Sequence, residues 1–199
     1  MFNNNIVVAI DLGSFSIKAA AGLYRNNGSL KNMATGMVKS KGIRNGFIID
    51  LDLAGSCLAA LISQLSSQLG IPVENAWIGI SGGTVFSYPG ESFIAVEGHD
   101  NEIDELDLRR VSIAAEVAAL PPQREALHII PLSYTINERV QTANPRGLFG
   151  HELSLKASVI SAEVVQTQNI LRLTRRAGLK INGLLYAPWI AGNTLLTES

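Results

Sequence analysis

The sequence is short of cysteine, of aromatic residues and of net charge, and it has no long apolar run. Cys57 is the single cysteine of 199 residues, which excludes an internal disulfide and points to a reducing compartment. Formal net charge is −1, so there is no electrostatic footprint for nucleic acid or for an anionic membrane. No apolar run approaches the roughly 20 residues of a membrane span, and no basic-then-apolar opening marks a secretory signal. There is no Walker A sequence, so P-loop chemistry is excluded. His99, His128 and His151 lack the clustered spacing of a zinc site. Ser81 misses the setting of a nucleophile elbow, because no acid and histidine follow in a matching context. Arg109–Arg110 and Arg175–Arg176 read as solvated helix faces.

What is present is an ordinary globular composition, with 47% apolar residues and enough length for one large domain or two small ones. The chain is organised around Ile6–Gly22. The β-branched residues at 6, 7, 8 and 10 favour a strand. Asp11-Leu12-Gly13-Ser14 ends it, and Gly13 is expected to turn the chain by taking positive φ. The next run then pairs back as a hairpin. Its loop amides, from Gly13 through Ser14 and Phe15 to Ser16, would form an anion nest. Hydroxyls of Ser14 and Ser16 and the cation of Lys18 would add to it, and Asp11 could hold Mg²⁺ through water.

Downstream, Asn26-Asn27-Gly28 reads as a turn and Leu30–Val38 as a strand. Ser40–Gly46 reads as a loop and Phe47–Ile49 as a short extended run. A helix capped by Asp50 or Asp52 carries the stripe Leu53, Cys57, Leu58, Leu61, Ile62, Leu65 and Leu69. Gly70 and Pro72 stop it. Ala76–Ser81 is a buried strand. From Thr84 the texture changes. Val85–Tyr88 and Ser92–Val96 read as two short strands around Pro89-Gly90. Ile103–Leu120 reads as a helix with Leu106, Val111, Ala114, Val117, Ala118 and Leu120 inward and a solvated acidic start at Asp104, Glu105 and Asp107. Ala126–Ile136 reads as an edge or bulged strand because of Pro131. A turn at 144–147 and a strand over Glu152–Ile160 follow. Ala162–Ala177 then reads as a helix, Ile181–Tyr186 as a strand, and Pro188 opens a helix toward Thr197. The pattern predicts an α/β subdomain with a mixed sheet over 1–83 plus 162–199, interrupted by an inserted α+β subdomain over 84–161.

These segments resemble the FtsA family of actin-like bacterial cell-division proteins. The opening hairpin is similar to the first phosphate loop of the actin, sugar-kinase and Hsp70 superfamily. More specific are 41–50, Ile78–Gly82, and above all Arg124–Pro131, with Tyr134, Ile136, Asn144-Pro145 and Gly147–Gly150 after it. Gly178-Leu179-Lys180 and Ala187-Pro188 match the return to the first subdomain. The sequence departs at Ser16, where relatives often carry a basic residue, and at Asn137, where they often carry Asp.

The resemblance implies an actin-like (ribonuclease H-like) subdomain with an inserted SHS2-type interaction subdomain. It implies half a cleft for ATP with Mg²⁺, lined by Asp11, Gly13, Ser14, Phe15, Ser16 and Lys18, with Asp11 toward the metal. A scaffolding role rather than an enzymatic one follows from it, with FtsZ and other division proteins as partners, self-association, and no nucleic acid. The implied location is cytoplasmic, at the inner face of the membrane in full-length relatives. Membrane contact there runs through a C-terminal helix that these 199 residues do not contain. Two other members of the superfamily, a small-molecule kinase and a pilus-assembly protein, are the alternatives. The first would need a carboxylate base that does not stand out, and the Leu127–Pro131 string argues against the second.

Overall fold

Residues 6–25, 27–97 and 99–196 are described by a computed structural model. The opening hairpin forms: β1 (Ile6–Leu12) pairs antiparallel with β2 (Ser16–Tyr24), and β2 with β3 (Leu30–Lys39). Asn26 of the expected turn lies outside the described residues. What reads as a loop after β3 holds a miniature hairpin instead, β4 (Ile43–Arg44) and β5 (Phe47–Ile48). Asn45 and Gly46 join them at φ 52° and 83°, the two positive values that a two-residue primed turn requires.

Helix α1 (Leu51–Leu69) follows, with the Asp50 carboxylate accepting from the amides of Asp52 and Leu53. Gly70 closes it at φ 69°, a left-handed stop that glycine takes without steric cost. Its buried stripe is Ala54, Leu58, Leu61 and Leu65. This corrects the expected stripe at one end: Leu53 is exposed and Cys57 only half-buried, because the small Ala54, packed close against Gly42 of the loop before β4, takes the inward position there.

Strand β6 (Asn75–Ile80) pairs parallel with β1. The chain then builds β7 (Val85–Ala95), α2 (Glu105–Ala119), β8 (Arg124–Ile136), β9 (Val140–Thr142) and β10 (Glu152–Glu163). It returns through α3 (Val164–Arg176), β11 (Lys180–Tyr186) and α4 (Ala187–Leu195). The expected end of α4 at Thr197 lies outside the described residues. Contacts divide the chain into Val85–Glu163 and a second unit made of the residues before and after it.

The flanking unit is a mixed five-stranded sheet in the order β11-β6-β1-β2-β3. Alternation along its strands places Val8, Ile10, Ile17, Ala19, Ile78 and Ile80 in the core, facing α1. Helix α3 packs beside α1, and Arg176 Nη1 donates to Asp52 Oδ1 at 2.7 Å.

The inserted unit is an antiparallel sheet in the order β7-β10-β8-β9, with α2 on one face. Its core joins Ile103, Val111, Ala115, Tyr134, Ile136, Leu153 and Leu155. Four expectations need correction here. Val85–Ala95 is one continuous strand, not two. Pro89 is accommodated because β7 lies at the sheet edge, where a missing amide breaks no ladder bond.

The inward face of α2 is also rotated. Val111 and Ala115 are buried, whereas Leu106 and Val117 are 61% and 75% exposed. Asp107 takes the remaining inward position at 1% exposure, so it is no solvated helix start. Its carboxylate accepts from the amides of Glu97 and Asp104 and from Arg110 Nη1. Arg110 also donates to Glu97 Oε1 at 2.8 Å and is only partly exposed, which corrects its reading as a solvated face.

Pro131 borders a bulge in β8 itself, where Leu132 is the extra residue opposite the step from Lys156 to Ala157. Arg124, at the start of β8, is held by its neighbours on both sides. The Arg124 guanidinium stacks on Phe86 and Tyr88, at 5.0 and 5.6 Å from the ring centroids. Its Nε and Nη2 donate to the hydroxyl and carbonyl of Ser161. Asn137 sits at φ 49° and its Oδ1 accepts from the amides of His151 and Glu152.

Candidate functional site

The opening hairpin brings Asp11 and Lys18 together as direct cross-strand partners. Both side chains lie on the sheet face turned away from α1, since their neighbours Ile10, Leu12, Ile17 and Ala19 point into the core. Partial burial pushes the Asp11 carboxyl above its ordinary value, and the Lys18 cation pulls it back part of the way. The two residues edge a cavity of about 360 Å³ whose other walls are apolar, with Ala9, Ala20, Trp77 and Ile190 among them.

The turn is built differently from the sequence reading. Gly13 does not take positive φ. Glycine is needed there for space: a Cβ would lie 2.6 Å from the carbonyl oxygen of Ser16. Phe15 is 84% exposed at the tip, and Ser16 is 7% exposed at the start of β2. Ser16 therefore offers little to a ligand in solvent. The Ser14 hydroxyl accepts from the Gly46 amide at 3.0 Å.

That contact exposes a constellation the sequence reading missed. The β4–β5 turn packs onto the residues after β6. A Cβ on Gly46 would lie 2.5 Å from the Ser81 carbonyl oxygen, and one on Gly82 would lie 3.0 Å from the Asn45 carbonyl oxygen. On the other side, the Ser40 amide donates to the Phe15 carbonyl at 3.0 Å. Three loops, at 13–16, 40–46 and 81–82, thus form one backbone-rich rim. The Ser40 hydroxyl oxygen is buried there without a partner among the described residues. The signal in sequence was the glycine at each closure, but spacing alone does not say which glycines meet.

Asp11 and Lys18 are the groups here that could face a nucleotide phosphate with Mg²⁺. One carboxylate suffices for Mg²⁺, which keeps several waters and takes the rest of its shell from phosphate. Lys18 adds a cation, whereas the Gly46 and Ser40 amides of the rim are already engaged by the Ser14 hydroxyl and the Phe15 carbonyl. The described residues contain no group of three or more metal-ligating side chains.

A β1-β2-β3-α1-β6-α3-β11 sheet unit, opened by a β-hairpin and interrupted after β6 by an α+β unit, is the arrangement of an actin-like fold with an inserted subdomain. A solved structure titled "PilM-PilN type IV pilus biogenesis complex" shares this fold. The likeness has TM-score 0.60 and 16% identity, over 95% of this chain and 49% of that one.

Residues 82–161 match the family model described as the SHS2 domain inserted in FtsA. The whole chain is similar to the cell division protein FtsA. Identity to FtsA of Bacillus subtilis (strain 168) is 27% over 198 residues, covering 100% of this chain and 45% of that protein. Identity to FtsA of Pseudomonas aeruginosa PAO1 is 25% over 196 residues, covering 98% and 46%. The chain thus spans about half the length of the curated relatives it matches.

Proposed function

We propose that this chain acts in bacterial cell division as an FtsA-like scaffold, through protein–protein contacts of the inserted unit. The observation that carries this reading is the similarity to FtsA along the whole chain, with the SHS2 match falling on the inserted segment. FtsZ and other division proteins are the partners, and the setting is the cytoplasmic face of the membrane at the division site. The chain performs no catalysis of its own.

In this reading the hairpin is one side of an ATP site. Asp11 faces Mg²⁺ through water and Lys18 faces the phosphates. Gly13, Ser14 and Phe15 contribute the turn backbone, and Ser16 anchors the turn at the start of β2. ATP with Mg²⁺, when bound, supplies a polyanion that these groups can clamp against a second surface. The fold likeness to the PilM structure carries no functional weight beside a whole-chain match to FtsA.

The test is capture of FtsZ and of the cytoplasmic segments of division proteins by the purified chain. A version with 85–163 replaced by a short Gly-Ser linker is run in parallel. The reading expects capture by the intact chain and its loss in the shortened one. Equal capture by both would overturn it.

A further inference from the structure

The inserted sheet has two edges, and they are not alike. On one, β8 carries extra residues at Leu127 and Leu132 and pairs with β9 over Tyr134–Ile136. The other edge is β7, in unbroken register with β10 and with no strand on its far side among the described residues. The SHS2 match over 82–161 spans nearly all of this unit, so β7 is an edge of the SHS2 unit itself. Alternate residues of a strand turn their backbone groups to alternate sides. The Val96 amide turns toward β10 and donates to the His151 carbonyl, whereas the Ala95 carbonyl turns outward, where Arg110 Nη1 reaches it at 3.3 Å. Glu91 and Phe93 therefore hold both amide and carbonyl outward. Pro89 shares their side, and its missing amide closes the edge toward Val85. Helix α2 overhangs what is left open. Ser92 Oγ donates to the Val111 carbonyl at 2.8 Å, and a Cβ on Gly90 would lie 3.0 Å from the Ala115 carbonyl oxygen, so α2 runs antiparallel above β7. Arg110 faces out past the edge, and Ala114 and Val117 share its side of the helix at i+4 and i+7. Val117 is exposed and Ala114 half-buried. Open backbone thus lies beside a small, apolar helix wall. On the other face of β7, Phe93 is exposed, and the Glu91 carboxylate meets Lys156 at 3.4 Å on one side and the open edge on the other.

We propose that this slot takes an extended segment of a partner protein, added antiparallel to β7 as a further strand. An unpaired edge is a template for another chain, and strand addition beside a helix is a recurring mode of peptide recognition. The residues opposite Glu91 and Phe93 each exchange both backbone bonds with them. The side chains follow from the same register. A cation stands opposite Glu91, the charge on the open edge, and an aromatic or aliphatic residue two places away stands opposite Phe93. The residues between them turn to Ala114 and Val117, so they are uncharged and aliphatic. The partner segment therefore alternates, with a cation and an aromatic residue on one face and aliphatic residues on the other. This inference rests on the reading of the inserted unit as the one that binds partners. Its test uses no division protein, so either can fail alone.

Fluorescence anisotropy of a labelled peptide, Ser-Val-Tyr-Val-Lys-Val-Ser with blocked ends, titrated with the full chain to about 1 mM, tests it. Saturable binding is expected in that range. N-methylation of the Tyr and Lys amides, which face β7 in the added strand, should weaken binding at least about tenfold. N-methylation of the central Val amide, which faces away, should change it less than about twofold. Glu91→Lys should weaken binding about twofold to fivefold, and a peptide with Glu in place of Lys should regain it on that variant. Leu132→Glu, at an exposed position on the opposite edge of the sheet, should change nothing. Circular dichroism confirms that each variant folds, and the two methylated peptides keep the test decisive if one does not. Absence of saturation by about 1 mM, equal binding of the two methylated peptides, a Glu peptide that gains nothing on Glu91→Lys, or an equal loss with Leu132→Glu overturns the proposal. So does a dimer of the chain that the peptide splits, which would give the edge to a second copy.

Discussion

Replacing Gly46 by alanine should destabilise the flanking unit far more than the same change at Gly28. Both glycines are left-handed, at φ 83° and 80°, so each alanine carries the same backbone penalty of about 1–2 kcal/mol. They differ in their surroundings. A Cβ at Gly28 has nothing within 4 Å, whereas one at Gly46 would lie 2.5 Å from the Ser81 carbonyl oxygen and 3.4 Å from the Gly82 Cα. Backbone lies on both sides of that contact, so the β4–β5 turn must move away. Moving it stretches the 3.0 Å bond from the Gly46 amide to Ser14 Oγ, a bond that contributes about 0.5–1.5 kcal/mol net. The expected cost is about 2–4 kcal/mol for Gly46→Ala against about 1–2 for Gly28→Ala. Both tryptophans, Trp77 and Trp189, lie in the flanking unit. Urea unfolding followed by tryptophan fluorescence therefore reports this unit alone, and the shift should appear in the midpoint at unchanged slope. Equal midpoints for the two variants would refute the three-loop rim on which the candidate site rests.

Three further outcomes follow from the same geometry. Asp107→Asn should lower the stability of the inserted unit by about 2–4 kcal/mol, because three donors face the buried carboxylate and an amide turns donors against them; a change below about 0.5 kcal/mol by far-UV circular dichroism in urea would contradict this. The raised Asp11 carboxyl holds its proton longer in the folded chain than in the unfolded one, so stability should fall as pH rises from the ordinary carboxylate value through the raised one. Asp11→Asn should remove that slope and melt no lower than the parent at neutral pH; a clear loss of melting temperature at neutral pH would show that the Lys18 attraction outweighs burial. Calorimetric titration with Mg-ATP should give binding no tighter than about 1 mM, which already needs about −4.1 kcal/mol from a few solvated donors, and no measurable hydrolysis; micromolar binding lost in Asp11→Ala would contradict it.

Much of the flanking unit was legible because its signals are local. The β-branched run into Asp11 and Gly13, the Asp50 cap, and the stop at Gly70 and Pro72 each act within a few residues. Helix α2 was misphased for a specific reason. Asp107 occupies an inward position that an apolar count cannot see, and Leu106 and Val117 are apolar yet exposed. Pro89 read as a break because sequence does not tell an edge strand from a central one. At the candidate site, Asp11 and Lys18 were legible as a carboxylate and a cation flanking one hairpin turn, whereas the meeting of Ser14, Gly46 and Ser81 depends on three loops far apart in the chain. Gly13 was assigned correctly to the turn but for the wrong cause, since close approach and not positive φ demands it.

The division role is tested most directly by the position of the chain in dividing cells. A fluorescent fusion of the intact chain, expressed at low level in the bacterium that encodes it, should gather at the division site. The same fusion with 85–163 replaced by a linker should spread through the cell. Diffuse signal from the intact fusion, or septal signal that persists without the inserted unit, would contradict the account.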